Sequence, residues 1–159
     1  MKALSFRQPG LKDGRAVYEL IKNSPPLDLN SCYCYLLLCD HFSKTCILTE
    51  YRSQLAGFIS SYRHPEKQDT LFVWQVVVHK DMRGRRIAGQ MLDRLISEGA
   101  PWASYIETTV TPSNDSSLRF FQNFAEMHET SCRTMRYMTK DLFCDDSHEE
   151  EILLRIGPL

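Results

Sequence analysis

Residues 71–90, LFVWQVVVHKDMRGRRIAGQ, constrain the fold more than any other stretch of the chain. An apolar run of strand character ends at His79, Lys80 and Asp81. A basic turn follows (Arg83, Gly84, Arg85, Arg86), and a helical pattern begins at once. A strand that passes through such a turn into a helix aims backbone N–H groups and a helix N-terminus at one point. That point is an anion site, and most naturally a pyrophosphate site.

The rest of the chain narrows the setting. At 159 residues it is expected to form one domain, residues 1–159. A net charge of -1 argues against a general binder of nucleic acid or membrane surfaces. No apolar run approaches the roughly 20 residues of a membrane span. The start, MKALSFRQPG, has no long apolar core of a secretory signal, so a cytoplasmic location is expected. The cysteines Cys32, Cys34, Cys39, Cys46, Cys132 and Cys144 form no CxxC pair, and no metal site is expected. In a reducing compartment they read as small hydrophobes.

The hydrophobic period then orders the elements. Residues 3–7 read as a strand. Residues 11–21 read as a helix with an apolar face of Ala16, Val17, Leu20 and Ile21, stopped by Pro25 and Pro26. Residues 28–31 (DLNS) offer caps for a second helix over 32–42, which is apolar almost all round and so is buried or lines a ligand pocket. Residues 45–49 and 55–62 make an antiparallel hairpin. Residues 71–79 form a strand whose unbroken apolar character suits cover on both faces. A helix with Ile87, Met91, Leu92 and Leu95 ends at Gly99 and Pro101. A strand over 103–110 leads through Asn114 into a helix with Leu118, Phe121 and Phe124. Residues 127–132 and 135–139 are expected to close the chain as a hairpin, followed by an acidic tail and a last apolar run over 152–156. The fold class is a mixed α/β layer rather than an alternating doubly wound sheet.

This order, with the turn Arg83-Gly84-Arg85-Arg86-Ile87-Ala88, resembles the GCN5-related N-acetyltransferases. Their turn reads Arg/Gln-x-x-Gly-x-Gly/Ala; Arg83 and Ala88 fit, and Arg86 stands where the glycine belongs. The resemblance implies a mostly antiparallel sheet splayed between two parallel strands, with helices on both faces. It also implies acetyl-CoA as co-substrate. Backbone groups of Val76, Val77 and Val78 would face the pantetheine arm and polarise the acetyl carbonyl. Backbone N–H groups of Arg85, Arg86, Ile87, Ala88 and Gly89 would hold the pyrophosphate, with Arg83, Arg85 and Arg86 as added charge and Gly84 within the turn. Asn114 would reach the cofactor from the neighbouring strand end. Many relatives place a tyrosine in the next helix as acid toward the leaving thiolate; the matching Phe121 has no proton to give.

The segments 27–46, 69–78 (DTLFVWQVVV), 107–114 (ETTVTPSN) and 148–159 (HEEEILLRIGPL) are similar to those of L-2,4-diaminobutyrate acetyltransferases, which act in ectoine biosynthesis. The implied acceptor is a diamine with one carboxylate, so its pocket needs anions, aromatic walls and donors. Asp28 suits an ammonium, Tyr33 and Trp74 suit cation–π walls, and Asn30 and Ser31 can donate hydrogen bonds. His148 and Glu151 can close the site from the tail. Glu107 suits a general base. For several of these a plainer role stays open: Asp28 and Ser31 as helix caps, Trp74 as core, the run ending at Glu151 as a solvated face, Glu107 as a structural ion-pair partner. Direct attack of the γ-amine on the thioester needs no acyl-enzyme, and the fold often forms homodimers. Another amine acceptor, or a non-catalytic acyl-CoA-binding module, is the alternative.

Overall fold

The computed structural model describes residues 4–159, so Ala3 of the expected first strand lies outside the described residues. The elements run β1 (Ser5–Arg7), α1 (Gly14–Lys22), α2 (Cys32–His41), β2 (Ile47–Tyr51), β3 (Gln54–Arg63), β4 (Thr70–Val78), α3 (Ile87–Arg94), β5 (Tyr105–Val110), α4 (Asp115–Met127), β6 (Ser131–Met138) and β7 (Glu151–Gly157). The chain divides into two compact units, residues 4–62 with 74–101, and residues 63–73 with 102–159. Strand β4 contributes to both.

In the first unit, β1 pairs antiparallel with β2, and β2 antiparallel with β3, which neighbours β4. The β2–β3 turn puts Arg52 and Ser53 at φ of 52° and 62°, the left-handed pair that a tight hairpin with the right twist requires. Leu48 sits opposite Phe58 and shares one face with Val77; Val17, Leu20 and Ile21 of α1 and Tyr35, Leu38 and Cys39 of α2 pack onto it. The other face takes α3. A Cβ on Gly57 would fall 2.9 Å from the Met91 methyl and 3.1 Å from the Val77 carbonyl, so only glycine lets α3 come that close. Helices therefore cover both faces within this unit.

In the second unit, Thr70–Val73 of β4 runs parallel to β5, from Thr70↔Tyr105 to Val73↔Thr108. Strand β5 pairs antiparallel with β7, and β7 antiparallel with β6. The last apolar run is thus an interior strand. Its core includes Leu71, Val73, Ile106, Phe121, Phe124, Leu154 and Ile156.

Three expectations are corrected. The hairpin over 127–132 and 135–139 does not form: Met127 ends α4, and residues 131–138 make one strand with β7 as its partner. Nothing between Cys132 and Met135 supplies the backbone freedom of a tight turn. Thr45 belongs to a helical turn rather than to β2. Strand β4 is not covered on both faces: Gln75 and Val77 are buried, Val76 and Val78 only partly, and Trp74 is 41% exposed. Its unbroken hydrophobicity reflects one core face and one face left partly open.

Candidate active site

In the first unit the expected cofactor surface is the exposed side of β4 and the turn after it. Val76 and Val78 share the side of Trp74, while Val77 points into the core. The Arg83 Nε donates to the Val78 carbonyl at 3.2 Å, which ties the turn back to the strand end. Gly84 has φ of +76°, and Arg86, the residue before α3, has φ of 58° and ψ of 22°. That left-handed conformation is the one for which the family motif uses glycine; arginine adopts it at a cost of about 1 kcal/mol. The turn therefore takes at Arg86 a conformation that suits glycine, the residue the motif has at that position. The first amides of α3, Ile87 to Gly89, lie at a helix N-terminus where no carbonyl precedes them within the helix. With exposed Arg83, Arg85 and Arg86 beside them, they fit a pyrophosphate.

The expected acceptor residues Asp28, Asn30 and Ser31 lie on the short segment that enters α2. Ser31 caps that helix, its Oγ accepting from the Cys34 amide at 3.1 Å, which leaves its hydroxyl proton to donate. The Asn30 amide donates to the Tyr35 hydroxyl at 3.2 Å. The Gln75 Nε2 donates to the Asp28 carbonyl at 2.7 Å, so the segment is bonded to β4 one residue from Val76. Tyr33 is 68% exposed on the first turn of α2. Trp74 stands out of the core, which removes the plainer reading of it.

In the second unit Glu107, 2% exposed on β5, is held by two cations. Its Oε1 accepts from Lys67 and from Arg155, each at 2.7 Å, and its Oε2 from Lys67 at 3.0 Å. The Arg155 guanidinium also lies 3.9 Å from the Tyr105 ring centre. Burial alone raises a carboxyl's pKa, but here the hydrogen bonds and charges of Lys67 and Arg155 outweigh it, and Glu107 titrates below the usual carboxylate range. Asn114 caps α4, its Oδ1 accepting from the Ser117 amide at 3.2 Å. His148, half-buried before β7, stacks on Phe143 with centroids 3.9 Å apart. Glu151 is the first residue of β7 and also half-buried. Phe121 is buried at 3% exposure on α4, edge-on to Phe120.

Four residues of these surroundings escaped the sequence reading: Tyr35, Gln75, Lys67 and Arg155. For Gln75 a signal existed, since it is the one uncharged polar side chain inside the apolar run of 71–78. Tyr35 in an apolar helix gave the same kind of hint, whereas Lys67 and Arg155 look like any surface cations.

Comparison with known proteins gives the same reading. Residues 14–125 match the model of the acetyltransferase (GNAT) family. The L-2,4-diaminobutyric acid acetyltransferase of Marinococcus halophilus is 42% identical over 98% of this chain and 91% of its own length. The diaminobutyrate acetyltransferase EctA of Paenibacillus lautus, solved in complex with its substrate L-2,4-diaminobutyric acid and coenzyme A, superposes with a TM-score of 0.95. It is 41% identical, over 99% of this chain and 96% of that one. Ard1 of Thermoplasma volcanium, 15% identical with a TM-score of 0.77 over 99% of each chain, shares the fold. The chain belongs to the GNAT acetyltransferase family, and within it to the L-2,4-diaminobutyric acid acetyltransferases.

Proposed function

We propose that the protein transfers the acetyl group of acetyl-CoA to the γ-amine of L-2,4-diaminobutyrate, the acetylation step of ectoine synthesis. The observation that carries this is the match, 41% identical with a TM-score of 0.95, to an enzyme solved with that substrate and coenzyme A. All of residues 1–159 serve as one transferase domain. The turn geometry supports pyrophosphate binding by the amides of Arg85, Arg86, Ile87, Ala88 and Gly89, with Gly84 giving the turn its left-handed step. Val76, Val77 and Val78 present backbone to the pantetheine arm, and Asn114 binds the cofactor from the start of α4. Asp28, Asn30, Ser31, Tyr33, Trp74, His148 and Glu151 receive the amine.

The amine must lose a proton before it attacks, and holding it in line with the thioester supplies much of the acceleration. Glu107 enters this reading as an ion-pair anchor. A carboxylate kept ionised by two cations is a weak proton acceptor, which argues against the base role expected of it. We assign proton removal instead to a carboxylate acting through water, with Asp28 and Glu151 as candidates. With phenylalanine at 121, the leaving thiolate takes its proton from water or departs charged. The protein works in the cytoplasm as a homodimer; the support for a partner is β6, an edge strand with exposed Met135 and Tyr137.

Thiol release from acetyl-CoA, measured with L-2,4-diaminobutyrate, spermidine and an N-terminal peptide, tests the reading. Release with the diamine alone is expected, with the product acetylated at the γ-nitrogen by NMR. Preference for another amine changes the acceptor, and cofactor binding without turnover of any amine overturns the enzyme reading. Light scattering during size-exclusion chromatography reads the dimer.

A further inference from the structure

A chain of neutral hydrogen bonds, anchored on two buried side chains, joins the acceptor segment to β4. Tyr35 is fully buried and Gln75 is 7% exposed. The Tyr35 hydroxyl donates to the Gln75 Oε1 at 3.0 Å and accepts from the Asn30 amide at 3.2 Å and its Nδ2 at 3.5 Å. Burial pushes the Tyr35 phenol up, so it keeps the proton it donates. The Gln75 Nε2 in turn donates to the Asp28 carbonyl at 2.7 Å, and its backbone N–H donates to the Ser60 Oγ at 3.1 Å. Both ends of the Gln75 amide are thus used, one by α2 and one by the segment, and a flipped amide would break both bonds.

We propose that Tyr35 and Gln75 are positioning residues for the amine acceptor. They tie Asp28 and Asn30 to β4 through the side chain of Gln75, the residue before Val76, whose backbone is assigned to the acetyl-bearing arm. This inference rests on the proposed acetyl transfer and names the parts of the chain that align its two reactants. The bonds suit alignment because the two made by the Gln75 amide are short, at 2.7 and 3.0 Å, and directional, because the Tyr35–Gln75 bond is buried, and because the segment they hold has little regular structure of its own. A misplacement of an acceptor by about 1 Å costs on the order of 100-fold in rate.

The test compares Tyr35→Phe and Gln75→Glu with the unaltered protein. Tyr35→Phe keeps the ring in the core and removes only the hydroxyl. Gln75→Glu keeps an acceptor for Tyr35 and removes the donor to the Asp28 carbonyl. In both, kcat/KM for the amine is expected to fall about 10- to 100-fold, while KM for acetyl-CoA stays within about twofold, as expected when a contact serves one ligand. Hydrogen exchange at the Asn30 amide should speed up in Tyr35→Phe whether or not turnover changes, which shows that the segment was released. Variants that release this amide yet keep the amine's kcat/KM within twofold, or that weaken both substrates equally, would overturn the proposal. Failure of the proposed function looks different: the unaltered protein then does not acetylate L-2,4-diaminobutyrate, and the same kinetic comparison is made on whichever amine it uses. If it uses none, there is no acceptor to position and the proposal falls with the function.

Discussion

Each unit carries a buried polar network on the residues assigned to the site, and the two are built from opposite chemistry. In the first unit, Tyr35 and Gln75 are neutral and hold backbone groups of a loop. In the second, Glu107 is charged and holds two side-chain cations, one on the segment before β4 and one on β7. Neutral bonds are modest in energy but sharp in direction, so they place a segment. A buried carboxylate with two cations cannot lose a partner cheaply, so it fastens strands together and stays ionised over a wide pH range. The difference teaches that burial of a polar group in a site of this kind does not by itself mark a catalyst.

Substitutions can break this comparison. The largest stability effect is expected at Glu107. Glu107→Gln leaves two cations facing a neutral amide and should cost about 2–3 kcal/mol, given the worth of hydrogen bonds to charged groups. In a chain of this size that lowers the thermal midpoint by about 4–12 °C, read by calorimetry. A variant as stable as the original would show the ion pairs to be ornamental. Tyr35→Phe should cost only about 1 kcal/mol, although its kinetic effect on the amine is the larger of the two.

The pH dependence sharpens the contrast. Glu107's folded pKa lies below its ordinary value of 4.5, so its contribution is full above that pH and is lost as pH falls through the folded pKa. The stability gap between the unaltered protein and Glu107→Gln should therefore narrow as pH drops from about 7 to about 3. The gap to Tyr35→Phe should stay constant over that range, since neither Tyr35 nor Gln75 titrates in it. Parallel behaviour of the two variants would contradict the distinction drawn between the networks.

A smaller effect is expected at the turn. Arg86→Gly relieves the left-handed arginine and should raise stability by up to about 1 kcal/mol. It removes one of the charges proposed to attract the pyrophosphate, so the dissociation constant for coenzyme A is expected to rise several-fold in calorimetric titration. Tighter binding would show that Arg86 is merely tolerated. The smallest effect concerns thiols. Burial pushes Cys39 and Cys46 up to about 12, so at neutral pH a maleimide should label exposed Cys144 well before either.

Much of this was legible in the residues. The strand, turn and helix of 71–90 stand where the pattern put them, because hydrophobic period and glycine placement are local signals. Ser31 and Asn114 open helices as their types suggest. The order of helices and strands also followed from periodicity, except at the end. There, counting apolar residues from Met127 onward mixed the last turn of α4 with the start of β6. For Glu107 the residues raised both a base and an ion-pair role, and only the fold shows the two cations that pair with it.

By itself, then, the chain's sequence determined most of the local elements, the strand, turn and helix of 71–90, and the family. The tertiary structure alone brought Tyr35 to Gln75, 40 positions away, and Lys67 and Arg155 to Glu107, 40 and 48 positions away. It also placed β7 between β5 and β6. The physical reason is that hydrophobic period tells which face of an element is buried. It does not tell which distant side chain will meet that face once the chain has closed on itself.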